Sequence, residues 1–294
     1  TEPAAPLAAA DPTLENGSTG KVSAQEGVNN VADNESAAPD TSLGAVDAQL
    51  PAASVAAQIA VSDIRKIEVD WISGSVTVRR AEGDSIEFSE DYQGEEKYRL
   101  RYSVENGTLH IQACQSGTVL NIPKKALTLS LPDALYQELK LSVGSAKLTL
   151  SDVRADELEL DSISGDIELD RIEASELKID TTSGSIRGQS LTASELELDS
   201  VSGNAELEGV FDSVDANTTS GSVTLTSSSL PREIDADTVS GDVTLTLPKD
   251  SAFRYEFDTI SGRLKSSLPD PVSGSDATVE IDTTSGGLTL QPLD

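Results

Sequence analysis

The sequence has almost none of the residues that build disulfide, zinc or redox sites. Its 294 residues include one Cys, one His, one Trp and no Met, and aromatic residues make up only 3%. A single Cys can form neither a disulfide framework nor a zinc site. Lys and Arg number 21 against 51 Asp and Glu, so the formal charge is −30. A chain this acidic is repelled by phosphate backbones, which argues against nucleic acid as a partner.

Long apolar runs are missing as well. No stretch approaches the roughly 18 apolar residues that a membrane-spanning helix needs. Because the chain starts at Thr1 and contains no Met, we expect a mature or trimmed product that has lost a membrane tether from its N-terminus. The nearly Cys-free, acidic composition is typical of a bacterial envelope protein, so we expect an extracytoplasmic location at the cell surface or envelope.

The chain divides into three stretches of different composition. Residues 1–50 hold eleven Ala, no aromatic residue and a single basic residue, Lys21, and we predict a disordered linker because they cannot bury enough apolar surface. Residues 51–135 alternate apolar and polar residues, and Asn106-Gly107 between two such runs predicts an antiparallel hairpin. We interpret this stretch as one coil plus a hairpin cap. Residues 136–294 are a repeat.

The repeat is a string of the type Leu-x-Leu-Asp-Ser-x-Ser-Gly-Asp-Ile-x-Leu. Successive copies centre on a glycine and are separated by 19, 19, 18, 20, 21 and 24 residues. A period near twenty with two short β patterns per unit is the signature of a solenoid, in which neighbouring units bury one another. An earlier copy surrounds Gly74. The glycines of the regular copies are Gly165, Gly184, Gly203, Gly221, Gly241, Gly262 and Gly286.

These features predict an all-β fold, a single-stranded, right-handed parallel β-helix of about eight coils with a partly antiparallel N-terminal cap. Alternation places residues such as Leu160 and Ile167 inside, with Ser-Gly at the corner between them. In register, equivalent residues of adjacent coils stack about 4.8 Å apart. Stacking the copies in sequence order gives apolar inward columns, one of them Leu160, Ile179, Leu198, Ala216, Ala236, Phe257 and Ile281.

The same register creates a column of acidic residues. Stacked carboxylates repel, so we expect each Asp to cap its own corner by accepting backbone N–H groups in an Asx-turn. The alternative is a Ca²⁺ ion held between adjacent Asp and hydroxyl oxygens. A parallel column of Ser residues, Ser164 to Ser285, is interpreted as structural. The candidate calcium ligands are Asp161, Asp180, Asp199, Asp237, Asp258 and Asp282.

No catalytic constellation or cofactor site is predicted. His110 and Cys114 lie about 13 Å apart on an extended strand, too far for a nucleophile and its base. Trp71 takes the corner position that Ser or Thr fills later, so we expect it to be partly exposed. With nearby Tyr and Arg residues it forms a candidate contact patch, but we favour the interpretation that these residues pack the cap over the first coils. The patch comprises Trp71, Tyr98, Arg99, Arg101 and Tyr102.

The strings Lys66–Val78 and Ser130-Leu131-Pro132, with the recurring Asp-Ser/Thr-x-Ser-Gly-Asp/Ser-Ile/Val, resemble a family of bacterial envelope proteins of unassigned function. Its members are known as candidate adhesins and are common in Gram-positive bacteria. The resemblance covers residues 60–294 and implies a right-handed β-helix outside the cytoplasm. It carries over no functional residue, because none is established for the family.

We therefore expect a non-catalytic β-solenoid that acts as an adhesin or surface binding module for a surface protein or glycan. The alternative is an envelope scaffold or stress-response component that contacts the producer's own envelope. A carbohydrate-active enzyme is the weaker alternative, since the acids are spread evenly along columns and aromatic residues for a sugar ring are few.

Overall fold

Alternating apolar residues form β-strands along nearly all of the chain that the structure covers. The computed structural model describes residues 48–49, 57–60, 64–117, 121–269 and 275–293, which belong to one compact unit, Leu43–Asp294. Apart from Ala48–Gln49, the predicted linker 1–50 lies outside the described residues. A short 3-10 helix spans Glu96–Tyr98. The strands are β1 Ala48–Gln49, β2 Ala57–Ala60, β3 Lys66–Arg80, β4 Ser85–Glu90, β5 Arg101–Glu105, β6 Thr108–Gln112, β7 Lys125–Leu131, β8 Tyr136–Ser162, β9 Ile167–Thr181, β10 Ile186–Ser200, β11 Ala205–Thr218, β12 Val223–Ser227, β13 Glu233–Thr238, β14 Val243–Pro248, β15 Arg254–Thr259, β16 Leu264–Ser266, β17 Thr278–Thr283 and β18 Leu288–Leu293.

The strands wind into a parallel β-solenoid, as the repeat predicts. Each regular coil contributes a first strand segment that ends in Asp-Ser/Thr, a Ser-Gly corner, and a second segment. The predicted register is confirmed, since Leu160 pairs with Ile179 and Ile179 with Leu198. The inward columns form one continuous core that runs from Ile64 to Leu290. The hand of the coil stays a prediction.

The order of the coils in space differs from their order in sequence at both ends. At the C-terminal end, β17 lies between β13 and β15, and β18 lies between β14 and β16. The predicted column order is therefore wrong there, because Ile281 stacks on Ala236 while Phe257 lies outermost. The interval between Gly262 and Gly286, 24 residues, is the longest of those between the repeat glycines.

The N-terminal end shows the same inversion. The coil formed by β6 and β7 lies outside β3, although it follows β3 in sequence, and β3 then stacks directly on β8. At both ends the outermost coil comes from within the chain. The first and last coils in sequence therefore hydrogen-bond on both sides.

Antiparallel strands close the N-terminal end. β5 pairs with β6 through the predicted hairpin, in which Asn106 and Gly107 both have positive φ, 53° and 81°. β4 pairs antiparallel with β7, and β2 and β1 pair in turn with β4 and β5. At the other end, β15 and β16 are the outermost strands, and β16 has only three residues, including Lys265. A short, charged edge strand discourages further strand addition.

Candidate functional site

The corner of each regular coil is closed by a hydroxyl group. Ser162 lies directly after Asp161; its Oγ accepts the N–H of Gly165 at 2.9 Å and donates to the Gly165 carbonyl at 2.7 Å. The same hydroxyl-to-glycine bond recurs in the other regular coils, with donor–acceptor distances between 2.7 and 3.1 Å. The capping residues there are Thr181, Ser200, Thr218, Thr238, Thr259 and Thr283.

The expectation that Asp caps the corner through an Asx-turn is therefore wrong. The reason is alternation: the Asp side chain points away from the core, whereas the next residue points inward to the glycine N–H. Asp161 instead accepts a bond from Ser142 Oγ of the adjacent coil at 2.8 Å. A Ser or Thr three residues before each Gly is a local side-chain-to-backbone motif that the sequence already displays.

The other predicted column, Ser164 to Ser285, has a structural role. Each hydroxyl donates to a backbone carbonyl of the neighbouring coil, as Ser202 Oγ does to the Thr182 carbonyl at 3.1 Å. The glycines allow this close stacking, because a Cβ added at Gly203 would lie 2.0 Å from the Gly184 carbonyl oxygen. The corner backbone is thus rigidly layered from coil to coil.

A groove of about 1390 Å³ runs along this corner from coil to coil. One wall is the row of Asp side chains, the floor is the capping column, and the other wall is the residue after each cap. The loop that follows β6, including Cys114, lines one end. Among the described lining residues there is no Lys, Arg or His, and the only aromatic residue is Trp71.

The second wall is a ridge of surface residues in which Ile or Val alternates with Gly or Thr along the solenoid. Five of the large apolar side chains exposed on the described surface lie on it, including Ile163 at 65% and Ile260 at 84% exposed. Corner-to-corner hydrogen bonds fix the spatial order of the coils. In that order every β-branched apolar residue is followed by Gly or Thr. The ridge reads Ile72, Gly144, Ile163, Thr182, Val201, Thr219, Val239, Thr284 and Ile260.

The acidic wall differs between its two halves. In the half nearer the N-terminus, Lys140 pairs with Glu159 at 2.7 Å and Lys178 pairs with Glu197 at 2.8 Å. Lys178 lies between Glu159 and Glu197, as the predicted register requires. Beyond Glu197, no described acidic residue forms an ion pair. The wall of that half contains Asp199, Asp237, Asp258 and Asp282, and Asp215, Asp235, Glu256 and Glu280 lie beside it.

Two of these carboxylates, Asp215 and Asp235, have raised pKa values, with burial as the largest cause and neighbouring acidic residues as a further one. Burial is the largest cause that raises the pKa of Asp235, followed by the charges of Asp237, Asp215 and Glu280. Burial also raises the pKa of Asp180, against the opposing charge of Lys178. Beyond Glu197, where no described basic residue pairs with it, the groove wall carries an uncompensated negative potential that favours cationic ligands.

One part of the acidic column has the spacing of a metal site. Carboxylate oxygens of Glu159, Asp161 and Asp180 lie within 4.8 Å of one another, the only such group among the described residues. The ammonium of Lys140 already contacts two of them, Glu159 at 2.7 Å and Asp161 at 3.6 Å. A cation there would have to displace the Lys140 ammonium. The calcium site stays a prediction.

The candidate contact patch is only partly on the surface. The expected exposure of Trp71 is wrong: it is 2% exposed, and its Nε1 donates to the Lys125 carbonyl at 3.1 Å. Tyr102 is half-buried and packs edge-to-face on Phe88, with ring centroids 5.0 Å apart. Tyr98, Arg99 and Arg101 are also half-buried. Trp71 therefore belongs to the packing of the cap.

Trp71 covers a buried charge. The side chain of Lys125 is 1% exposed, and its Nζ lies 4.7 Å from the centre of the Trp71 ring. The same Nζ donates to Glu90 Oε2 at 2.5 Å, to the Tyr98 carbonyl at 2.6 Å and to the Ala113 carbonyl. Burial lowers the pKa of Lys125, while the bond to Glu90 opposes that change. This lysine joins four chain segments at the end of the solenoid.

The two residues considered as nucleophile and base have separate partners. His110 Nδ1 lies 2.8 Å from Glu68 Oε2 on the adjacent strand. Cys114 is buried, and burial raises the pKa of its thiol. A thiol with a raised pKa holds little of the thiolate that acts as nucleophile.

Residues 64–291 match the Toastrack DUF4097 family, which covers more than half of the chain. The chain belongs to the Toastrack family. This confirms the resemblance carried by the Ser-Gly repeats at the level of the family. A comparison with curated proteins finds no significant match. No helix among the described residues is both long and apolar enough to cross a membrane.

Solved structures to which this chain is similar come from several bacteria. A candidate lipid binding protein of Parabacteroides distasonis is 18% identical, with a TM-score of 0.54 over 80% of this chain and 95% of that one. A candidate adhesin of Parabacteroides merdae is 14% identical, with a TM-score of 0.49 over 81% and 95%. A candidate cell adhesion protein of Clostridium sporogenes is 11% identical, with a TM-score of 0.27 over 81% and 98%. The likeness to the first of these supports the fold alone.

Proposed function

We propose that this Toastrack protein is a non-catalytic binding module of the bacterial surface, an adhesin, and that the corner groove is its binding face. The observation that carries the proposal is the ridge. Exposed β-branched side chains recur at every second coil beside an acidic wall, although the packing of the solenoid does not require them. Apolar surface kept exposed in a continuous line is typical of an interaction site.

A catalytic role is less well supported by the groove. Its carboxylates repeat at the strand spacing of about 4.8 Å along the groove, and the one tight group, Glu159, Asp161 and Asp180, is already contacted by Lys140. The aromatic residue that lines it, Trp71, is buried against Lys125 and offers no open platform for a sugar ring. The adhesin names of two structural neighbours agree with a binding role. The lipid binding name of the third agrees less well, because an acidic wall repels anionic headgroups.

The test is binding of the purified chain to two kinds of surface side by side. The producer's own cells form one, and mucin, matrix protein and host cells form the other. The label goes on the N-terminal amine, since the single thiol, Cys114, is buried. We expect saturable binding to the foreign material. Binding to the producer's envelope alone would replace adhesion with the scaffold or stress-response role, and release of reducing sugars would replace both with an enzyme.

A groove variant with a matched control locates the binding face. Asp199→Asn, Asp237→Asn and Asp282→Asn together remove three charges from the wall. Glu206→Gln, Glu208→Gln and Asp212→Asn remove three exposed charges that do not line the groove. We expect the first set to weaken binding at least tenfold and the second to leave it nearly unchanged. Equal losses in both sets would mean that the groove is not the binding face.

A further inference from the structure

The ridge has a definite repeat along the axis of the solenoid. Apolar and small or hydroxylated residues alternate through nine successive coils, from Ile72 to Ile260. Two coils span about 9.6 Å, because adjacent strands lie about 4.8 Å apart. The alternation holds only in spatial order: read along the sequence, Val239 is followed by Ile260 instead of Thr284.

Among extended polypeptide conformations, one matches this repeat. A polyproline II helix has three residues per turn and rises about 3.1 Å per residue, so one face repeats every ~9.3 Å. A β-strand repeats one face every ~6.7 Å, because successive side chains alternate at ~3.3 Å per residue, and it drifts out of step with the ridge. Over four repeats the polyproline II mismatch is only about 1 Å.

The negative charge of the groove favours a basic ligand. Seven Asp residues line the groove and no described lining residue is basic. A polyproline II segment with one basic residue per turn would place a cation opposite every second coil of the acidic wall. Residues 1–50 of this chain are a poor occupant because they carry one basic residue against eight acidic ones, and a second copy of the chain is similarly acidic.

We infer that the corner groove binds an extended basic polypeptide in the polyproline II conformation, with Lys or Arg at every third position. The apolar face of the ligand packs between the Ile and Val tips of the ridge, and its basic face pairs with the Asp row. This inference rests on the proposed function, because it takes the groove as the binding face and names the chemistry of the partner.

The probe is a dye-labelled peptide of four Lys-Pro-Pro repeats. Its twelve residues extend ~37 Å at ~3.1 Å per residue, close to the ~38 Å between the first and ninth ridge residues. The matched control peptide has the same composition, with four Lys in one block followed by eight Pro. We expect the repeated peptide to bind the full chain at least tenfold more tightly in fluorescence anisotropy at 150 mM salt.

Two pairs of variants separate the acidic wall from the ridge. The three-site Asp→Asn variant of the wall is compared with the control variant at Glu206, Glu208 and Asp212, and we expect at least tenfold weaker binding for the wall variant alone. Val201→Thr with Val239→Thr removes ridge methyl groups without changing the charge. We expect a three- to tenfold loss there and none for Val210→Thr, an exposed valine that does not line the groove.

Each result supports or overturns the inference. Equal affinity for the two peptides would overturn the claim of a threefold period, and no binding of either would overturn the basic occupant. Binding of chitin or peptidoglycan oligosaccharides in place of the peptides would overturn the inference and indicate that the groove binds a glycan. If the protein binds cells through the groove but not the peptide, the inference fails while the proposed function stands. Circular dichroism and melting temperatures confirm that each variant is folded.

Discussion

Trp71 and Ser162 occupy equivalent positions at the corners of their coils, yet they stabilise the corner in different ways. The hydroxyl of Ser162 bonds only within its own turn, to Gly165. Trp71 reaches the outermost coil, where it bonds to the backbone of Lys125 and covers the lysine side chain. The corner residue is thus determined by what stacks on it. Where a regular coil stacks on the corner, the corner residue is a small hydroxyl side chain. At the irregular N-terminal end it is a large ring that covers a buried charge.

The largest expected effect is at the irregular end. Glu90→Ala removes the carboxylate that pairs with the buried ammonium of Lys125, and an unpaired buried charge costs about 3–5 kcal/mol of the free energy of unfolding. Denaturant titration measures it. The control is Glu138→Ala, which breaks the exposed pair with Lys66 and leaves the free energy almost unchanged. Equal effects at the two sites would mean that the Lys125 cluster does not stabilise the cap.

The second effect concerns a regular corner and is smaller. Thr218→Val keeps the shape of the side chain but leaves the buried N–H of Gly221 without its acceptor, which costs about 1–3 kcal/mol. Thr219→Val, one residue further on, changes an exposed ridge position, so we expect little change in stability. If the two variants unfold at the same denaturant concentration, the hydroxyl cap contributes nothing.

Much of the regular region could be predicted from the sequence. The apolar columns, the glycine spacing and Lys178 between two Glu residues fix the register, because each requires only local alternation and a repeat near twenty. The Asn106-Gly107 hairpin is equally local. The capping residue can also be identified from the sequence, as the Ser or Thr three positions before each glycine. The prediction named the adjacent Asp as the cap instead.

The ends could not be predicted in the same way. The pairing of β17 with β13 joins two strands that are not neighbours in the sequence, and no local pattern shows it. The burial of Trp71 depends on Lys125, 54 residues further along the chain. The alternation of the ridge depends in turn on the order of the coils. The sequence therefore contained the groove residues, but not their order in space.

The smallest effect sharpens the contrast between the two halves of the acidic wall. The pKa values of Asp215 and Asp235 are raised in the folded chain, with burial as the largest cause. Between these raised values and the ordinary pKa of about 3.8, the folded state therefore binds more protons than the unfolded state. Stability therefore rises as pH falls from 7 through the raised pKa values. We expect the melting temperature to rise modestly as the pH is lowered from 7 to 5.

One variant, Asp235→Asn, checks that this rise comes from the crowded half. Asp235→Asn should raise the melting temperature at pH 7 and flatten its pH dependence. Asp152 behaves in the opposite sense, because its bond to Arg171 lowers its pKa and its contribution is lost as pH falls. A melting temperature that falls steadily on acidification in the Asp235→Asn chain and the parent alike would contradict the account of the wall.

Steric blocking tests whether the corner groove is the binding face without changing the charge of the groove. In a Cys114→Ala background, Thr219→Cys places one thiol on the ridge, and Thr192→Cys places one on an exposed strand position that does not line the groove. Each chain is coupled to a bulky maleimide polymer, and saturable binding to the foreign surfaces is measured. Loss of binding only for the chain modified at residue 219 is the predicted result. Undiminished binding by that chain would contradict the claim.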